Sequence, residues 1–413
     1  MFSSTPVQTE AQIAGQHSGK SVTITPQAEP IYRELAKLAK SGNYWAQITV
    51  NGINQLAAGR LHQNNIFIKP GAAHRGGSEE FVVILPGCRV TAEKQANDGY
   101  RILHFEADLN YSELIEKYQR PGLYFAESEG GTWQAKLKKR GTLKAEKNRL
   151  VAVCDSGHRD PDKAANIAAS RIAEAPFSGG SFRVNGNGFD LHYTPGEKSI
   201  GGLKSYKHAI RPLQNQDLHE SALLLARTMY EAKDLEGVGW VSEFGGSAVL
   251  TQAFKILADQ GIKLEKHTAF LVRPTTSPNE AVKTAHAAGL KLDRKFTKTN
   301  KLDIVGNRDQ LELIYNRFKH ENDGLDGYIW TKAVADVVEH GKSLHGGGVL
   351  IGSIAAAAGL SASAPAPAAA AAFLTALGKA AAIAGSAIGI GKMGNSMVRA
   401  WLPRQHDRIK RKF

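Results

Sequence analysis

Residues 238–272 read VGWVSEFGGSAVLTQAFKILADQGIKLEKHTAFLV, and this stretch decides the fold class. An apolar run at 238–241 is followed by a Gly-Gly turn and then by apolar residues at helical spacing over 247–260. Gly261 supplies a residue that ends helices, and a second apolar run occupies 268–272. The stretch therefore predicts a strand, a turn, a helix and another strand, which is the repeating unit of a parallel α/β sheet.

The same pattern recurs on both sides of this stretch. Continuous apolar runs that are typical of strands covered on both faces lie at 81–85 and 150–154, and a further buried strand is predicted at 302–305. Apolar residues at helical spacing occur in four further segments, 161–172, 218–233, 279–289 and 310–318. We therefore predict an α/β fold with a mostly parallel sheet and helices on both of its faces, because right-handed crossovers leave few alternatives.

Composition changes divide the chain into four predicted regions. Residues 1–28 are polar and lack periodicity, which is typical of a mobile arm. Residues 29–78 are predicted to form a small strand-rich module after a short helix, with strands at 44–50 and 65–69. The α/β domain is expected over 79–342, and an Ala/Gly-rich helical region with a basic end over 343–413.

The charge of the chain predicts an anionic partner. The formal net charge is +13, and the basic residues cluster at 136–147, 291–301 and 399–412. Aromatic residues do not interleave with these clusters, so the pattern argues against nucleic acid as the partner. Cys88 and Cys154 have no metal-ligand spacing and follow apolar runs, which predicts two buried thiols, and the sequence indicates neither a metal nor a cofactor.

The turn in the opening stretch, Ser242-Glu243-Phe244-Gly245-Gly246, resembles the nucleophile elbow of the α/β-hydrolase fold. In that family a nucleophile lies between small residues, because a tight turn must expose its side chain above the sheet. Alignment of the two glycines with the small residues places Glu243 at the apex. This implies either a hydrolase-like scaffold without serine chemistry or a site that uses the Glu243 carboxylate in another catalytic role. If the turn carries one extra residue, Ser242 is the nucleophile instead.

The same resemblance proposes partners for that nucleophile. Asp309 follows a late predicted strand, where α/β hydrolases hold the acid that orients the catalytic histidine. His320, His340 and His345 follow in the expected order, and we take His345 as the candidate. The alternative role for Asp309 is to cap the helix that begins at residue 310.

Two other acid and histidine pairs are candidates for a site. Asp190 and His192 are two residues apart in a predicted strand and therefore share one face, where they can hydrogen-bond or hold a metal together. Asp155 and His158 lie in the turn after the strand at 150–154. For both pairs, a cap or a surface group is the alternative role.

The C-terminal region is predicted to form a membrane-competent helical hairpin. No charged residue occurs between 346 and 378, and Pro365 and Pro367 divide the apolar tract into two helices. Alanine and glycine contribute little transfer free energy, so insertion should depend on close helix packing. The alternative is an Ala-rich hairpin that packs on the α/β domain or in an oligomer and has a solvated basic tail. Four residues represent these properties: Ile354 and Ile383 as central apolar positions, and Gly385 and Gly389 as a small-residue face.

This organisation resembles that of bacterial antibacterial effectors delivered by contractile, type VI secretion systems. The resemblance implies a toxin that is secreted without a signal peptide and acts at the target-cell membrane by inserting its hairpin. It further implies an anionic lipid membrane, a secretion apparatus or chaperone and an immunity protein as partners. The alternatives are a lipid or ester hydrolase that uses Ser242, and a non-toxic, membrane-tethered interaction protein.

Overall fold

The computed structural model describes residues 10–58, 66–68, 80–154, 157–196, 216–274, 276–293 and 295–298, with ten further positions between 313 and 336. These residues form an α/β protein, as predicted. Its strands make two sheets, and both sheets are mixed in direction. The prediction of a mostly parallel sheet therefore applies to only one block of strands.

The first sheet contains six strands in the order β1-β2-β6-β5-β4-β3. Only the β2 and β6 pair is parallel, and the other neighbours are antiparallel. Two helices, α1 and α2, share its apolar core. The elements of this unit are β1 Ala11–Ala14, β2 Val22–Ile24, α1 Glu29–Lys40, α2 Tyr44–Ala57, β3 Ile66–Ile68, β4 Glu80–Leu85, β5 Cys88–Lys94, β6 Tyr100–Ala107 and α3 Tyr111–Glu116.

The second sheet contains seven strands in the order β13-β12-β11-β9-β10-β7-β8. The block from β13 to β10 is parallel, whereas β7 is antiparallel to β10 and β8 is antiparallel to β7. Its elements are β7 Gly122–Glu129, β8 Thr132–Leu137, β9 Leu150–Val153, α4 Pro161–Ile172, α5 Gly180–Asn187, β10 Phe189–Tyr193, α6 Gln216–Glu231, β11 Val238–Glu243, α7 Gly246–Asp259, β12 His267–Val272, α8 Pro278–Ala287 and β13 Thr297–Lys298.

Helices cover both faces of the parallel block. One face packs against α4 and α5, and the opposite face packs against α6, α7 and α8. Val82 and Ile84 of β4 join the apolar core around α6, so the two sheets lie on opposite sides of that helix. Val83 and Leu85 point the other way, into the core beneath α2. Strand β4 is therefore covered on both faces, as its apolar run predicts.

The prediction of a mobile arm over 1–28 is wrong for the part that is described. Residues 11–14 form β1 and 22–24 form β2, and the side chains of Val22 and Ile24 are fully buried. Strand β2 pairs in parallel with β6, whose residues lie almost eighty positions later. Because this pairing partner is distant, the polar local composition does not reveal the strand.

The prediction for 44–50 is also wrong, because these residues belong to helix α2. Asn43 caps this helix by accepting a hydrogen bond from the backbone N–H of Ala46 at 3.1 Å. Buried residues recur every three or four positions as far as residue 57, beyond the short window that indicated a strand. The strand predicted at 65–69 is confirmed as β3.

The predicted domain boundary between residues 78 and 79 is also wrong. It separates β3 from β4, which are antiparallel neighbours in one sheet. The run at 81–85 suggested a parallel strand, yet Pro86 and Gly87 join it to β5 in a hairpin in which Leu85 pairs with Cys88. Gly87 has a φ of +65°, a conformation that favours glycine in such turns.

The central predictions are confirmed. The strands at 150–154, 238–241 and 268–272 are present as β9, β11 and β12, and the helices between 161 and 289 are present as α4, α6, α7 and α8. Both cysteines are buried. The strand predicted at 302–305 and the region 343–413 lie outside the described residues. Among the residues that are described, no helix is both long and apolar enough to cross a membrane.

Candidate functional site

The candidate site lies where the order of the strands reverses within the parallel block. Strands β9 and β11 are neighbours, but the helix after β9 covers one face of the sheet and the helix after β11 covers the other. In chain order, the parallel strands follow the pattern 2-1-3-4-5. Ligands of open α/β sheets bind outside the carboxyl ends of the strands at such a switch point. This position therefore makes the residues after β9 and β11 the first candidates.

The turn after β11 is tight and strained. Strand β11 continues through Glu243, Phe244 has a φ of +41°, and α7 begins at Gly246. A Cβ atom at Gly246 would collide with the carbonyl oxygen of Val153, so only glycine allows α7 to approach β9 this closely. A positive φ is costly for a bulky residue such as phenylalanine, and such strain concentrates at functional sites.

The prediction that Glu243 lies at the apex of this turn is wrong. The residue with positive φ is Phe244, one position later, and Ser242 and Gly246 are the small residues on either side of it. The alignment took Gly245 as the small residue after the apex, whereas Gly246 is the glycine whose position against β9 leaves no room for a Cβ atom. The apex therefore carries an aromatic side chain that has no nucleophilic atom.

Glu243 is instead the last residue of β11 and is nearly fully buried. Its Oε1 accepts a hydrogen bond from Nε of Arg171 at 3.1 Å, and no described residue hydrogen-bonds its Oε2. Burial raises the pKa of Glu243, although the positive charge of Arg171 acts in the opposite direction. The carboxyl group is thus only partly compensated, because its second oxygen is buried without a hydrogen-bond partner among the described residues.

The next turn, after β12, completes a charged cluster at this edge. Arg273 also has a positive φ, +49°, and its backbone N–H donates to the carbonyl oxygen of Lys298 at 2.7 Å. The Lys298 ammonium lies 3.2 Å from Glu174, which also pairs with Arg171 at 3.3 Å. We call Arg171, Glu174, Glu243, Arg273 and Lys298 the carboxyl-edge cluster.

Ser242 does not reach this cluster. It lies within β11, is fully buried and points to the face opposite Glu243, because side chains alternate along a strand. Its Oγ has no hydrogen-bond partner among the described residues. In register, Ser242 is next to Val153, and Val153 is next to His192. Two strand spacings of roughly 4.8 Å therefore separate Ser242 from the nearest histidine in that row.

A hydrogen-bonded serine and histidine pair does occur nearby, but it is buried. His192 Nε2 and the Oγ of Ser221 are 2.9 Å apart, and Thr194 lies 2.7 Å from the same Oγ. Burial lowers the pKa of His192 to about 4, so the ring is neutral near pH 7. Because all three side chains are buried, this network is structural. Ser221 lies on α6, and no local pattern in the sequence links it to His192.

Asp190 and His192 share a face of β10, as predicted, but belong to separate networks. Asp190 is fully buried, with Oδ1 2.7 Å from the ammonium of Lys138 and Oδ2 2.6 Å from the guanidinium of Arg149. No group of three or more His, Cys, Asp or Glu side chains in the described part of the chain is arranged to hold a metal. The two cations account for the burial of Asp190.

Several candidates from the sequence fall outside the described residues. These are Asp155, Asp309, His340, His345 and the four hairpin positions Ile354, Ile383, Gly385 and Gly389. His158, after β9, is half-buried, and burial lowers its pKa. The ring of His320 stacks on that of His286 with centroids 3.9 Å apart.

Comparison with known proteins gave no relatives. No family model, curated protein or solved structure matches the chain.

Proposed function

We propose that the chain is an antibacterial effector that acts at a target-cell membrane through its C-terminal region, and that its α/β domain is a non-catalytic, hydrolase-like scaffold. The assignment of the α/β domain as a non-catalytic scaffold rests on the position of Phe244. This residue occupies the strained apex at which an α/β hydrolase presents its nucleophile, and its side chain cannot attack an ester. The burial of Ser242 and of the pair formed by Ser221 and His192 supports the same conclusion.

The proposed action at a membrane rests on the sequence of residues 343–413. A charge-free tract over 346–378 precedes a basic end, in which residues 392–412 hold seven lysines or arginines and one acid. An apolar hairpin with a cationic flank suits an anionic bilayer, because the flank binds headgroups while the helices enter the hydrocarbon. A secretion apparatus or chaperone and an immunity protein are the partners that this function requires.

The first test measures vesicle binding and dye release by the full chain and by a chain that ends at residue 342. Anionic vesicles should bind the full chain and leak, and binding should weaken as salt rises. The shortened chain should lose the leakage. Equal leakage by both chains would show that residues 343–413 are not the membrane-active element.

Single substitutions test the insertion step. Ile354→Asp or Ile383→Asp should oppose insertion, at a cost of about 2.5 to 3.5 kcal/mol for a central charge on translocon scales. Gly385→Leu or Gly389→Leu should preserve binding but reduce leakage, because the small-residue face is lost. Ile354→Leu is the matched control and should leak as the parent does. If the aspartate variants leak as fully as this control, the region is a packing element and not a membrane hairpin.

Two measurements separate this function from its alternatives. Ester and phospholipid turnover by the parent, abolished by Ser242→Ala, would establish a hydrolase and refute the scaffold assignment. Expression inside a bacterial host should arrest growth if the chain is a toxin, and truncation at residue 342 should relieve the arrest. Full tolerance of the intact chain would favour a membrane-tethered interaction protein.

A further inference from the structure

The amino-terminal edge of the parallel block is strongly basic. The segment that leads from β8 into β9 carries seven lysines or arginines between residues 136 and 149, against one acid, Glu146. Most of these side chains are exposed. The switch-point turn lies at the opposite edge, so the function proposed for the scaffold does not account for this charge.

A polar cleft of about 260 Å³ opens at this edge, beside the starts of β9 and β10. Three cationic side chains, those of Lys147, Arg149 and Arg183, line it together with one acidic side chain, that of Glu146. Arg149 forms ion pairs with Asp190 and Glu146. Lys147 forms an ion pair with Glu236, and its side chain is largely exposed. This leaves Arg183 as the cation to consider for an external ligand.

Arg183 makes no ion pair with any residue in the described part of the chain. Its guanidinium donates one long hydrogen bond, 3.4 Å, to the carbonyl oxygen of Asn148. A guanidinium that lines a cleft and has most of its donors free is suited to bind a phosphate or carboxylate oxygen pair. The cleft therefore favours an anionic group as its occupant.

The residue before this cation in the chain has an exposed aromatic side chain. Phe182, in the first turn of α5, is 94% exposed, whereas the other exposed large apolar residues of the described chain lie between 37% and 43%. The adjacent surface is polar and offers little apolar area for a protein partner, whose interface core requires it. One protruding aromatic ring beside cations is instead typical of proteins that lie on a membrane surface.

We propose that Phe182, Arg183 and Lys147 form a docking site for the surface of an anionic membrane. A lipid phosphate occupies the cleft, where Arg183 and Lys147 bind it, and the Phe182 ring enters the boundary between headgroups and acyl chains. This site rests on the proposed action at membranes and adds the surface by which the folded domain contacts the lipid. Docking here is separate from insertion of residues 343–413.

The first experiment places a reporter at the docking site of the full chain. Both native cysteines are buried, so a Phe182→Cys variant carries one exposed thiol that accepts an environment-sensitive dye. The dye should brighten and shift to the blue with phosphatidylglycerol vesicles but not with phosphatidylcholine vesicles. The control is Leu109→Cys, which labels another exposed apolar position and should not respond.

The outcomes distinguish this inference from the proposed function. If the chain sediments with anionic vesicles while the dye at residue 182 stays in water, the docking site is refuted and the proposed membrane action stands. If the chain neither binds nor permeabilises vesicles, the proposed function fails as well. A response of equal size with phosphatidylcholine would overturn the role of Arg183 and Lys147.

The second experiment measures affinity by vesicle sedimentation. Phe182→Ser combined with Arg183→Gln should weaken binding to anionic vesicles by about tenfold or more, since both an aromatic anchor and a cation are removed. Leu109→Ser combined with Lys117→Gln removes an exposed apolar side chain and a cation from another surface and should change the affinity less than about threefold. Equal losses in the two double variants would refute the site.

Discussion

The two ends of the seven-stranded sheet each bury a carboxylate, but they compensate its charge differently. At the amino edge, both oxygens of Asp190 meet a cation, Lys138 or Arg149. At the carboxyl edge, one oxygen of Glu243 accepts a hydrogen bond from a guanidinium, and the other has no hydrogen-bond partner among the described residues. A strained turn follows Glu243. A buried acid is therefore not by itself a sign of function. An acid whose hydrogen bonds are incomplete is the better candidate.

The largest expected effect tests the compensated end. Asp190→Asn should destabilise the fold by about 3 kcal/mol or more, because it leaves two poorly exposed cations without their carboxylate. Glu127→Gln is the control, since it removes the acid of a largely exposed pair with Lys136 and should cost under about 1 kcal/mol. Urea unfolding of both variants gives the comparison. Similar losses would show that Asp190 is not structurally special.

A smaller effect tests the close approach at the carboxyl edge. Gly246→Ala should destabilise the fold by about 2 kcal/mol, because its Cβ would meet the backbone of β9, which cannot move aside. Gly186 lies in α5 with open space around it, so Gly186→Ala should stabilise the fold by up to about 1 kcal/mol. Thermal unfolding should therefore move in opposite directions for the two variants. Equal shifts would contradict the tight turn.

The smallest effect tests the incompletely compensated acid. Glu243→Gln should be neutral, or stabilising by about 1 kcal/mol, at pH 7. The raised pKa of Glu243 means that the folded state binds its proton more tightly than the unfolded state does. The contribution of this group to stability is thus complete below its unfolded pKa, near 4.5, and decreases as the pH rises through the folded pKa.

The pH dependence of the Glu243→Gln variant follows from the raised pKa of Glu243. Relative to the parent, Glu243→Gln should become more stable as the pH rises from about 4.5 towards 7. Urea unfolding across this range checks the slope, with Glu127→Gln as the exposed control. A variant that loses stability relative to the parent over the same range would show that the pair with Arg171 outweighs the cost of burial.

Local pattern predicted three adjacent strands of the second sheet and most of its helices correctly. Strands β9, β11 and β12 and helices α4, α6, α7 and α8 were predicted because their apolar residues repeat at the period of the element that they form. A buried face must recur every two residues in a strand or every three to four in a helix, wherever its partner lies. The sequence by itself therefore determined the α/β class and the order of these elements.

Only the tertiary structure decided which strands are neighbours and which side chains meet. The pairing of β2 with β6 and the contacts of Asp190 with Lys138 and Arg149 join residues that are 41 to about 80 positions apart. Phe244 reached the apex because the backbone of β9 admits only Gly246 beside it. Such contacts depend on the three-dimensional arrangement of distant segments, and short-range periodicity carries no information about that arrangement.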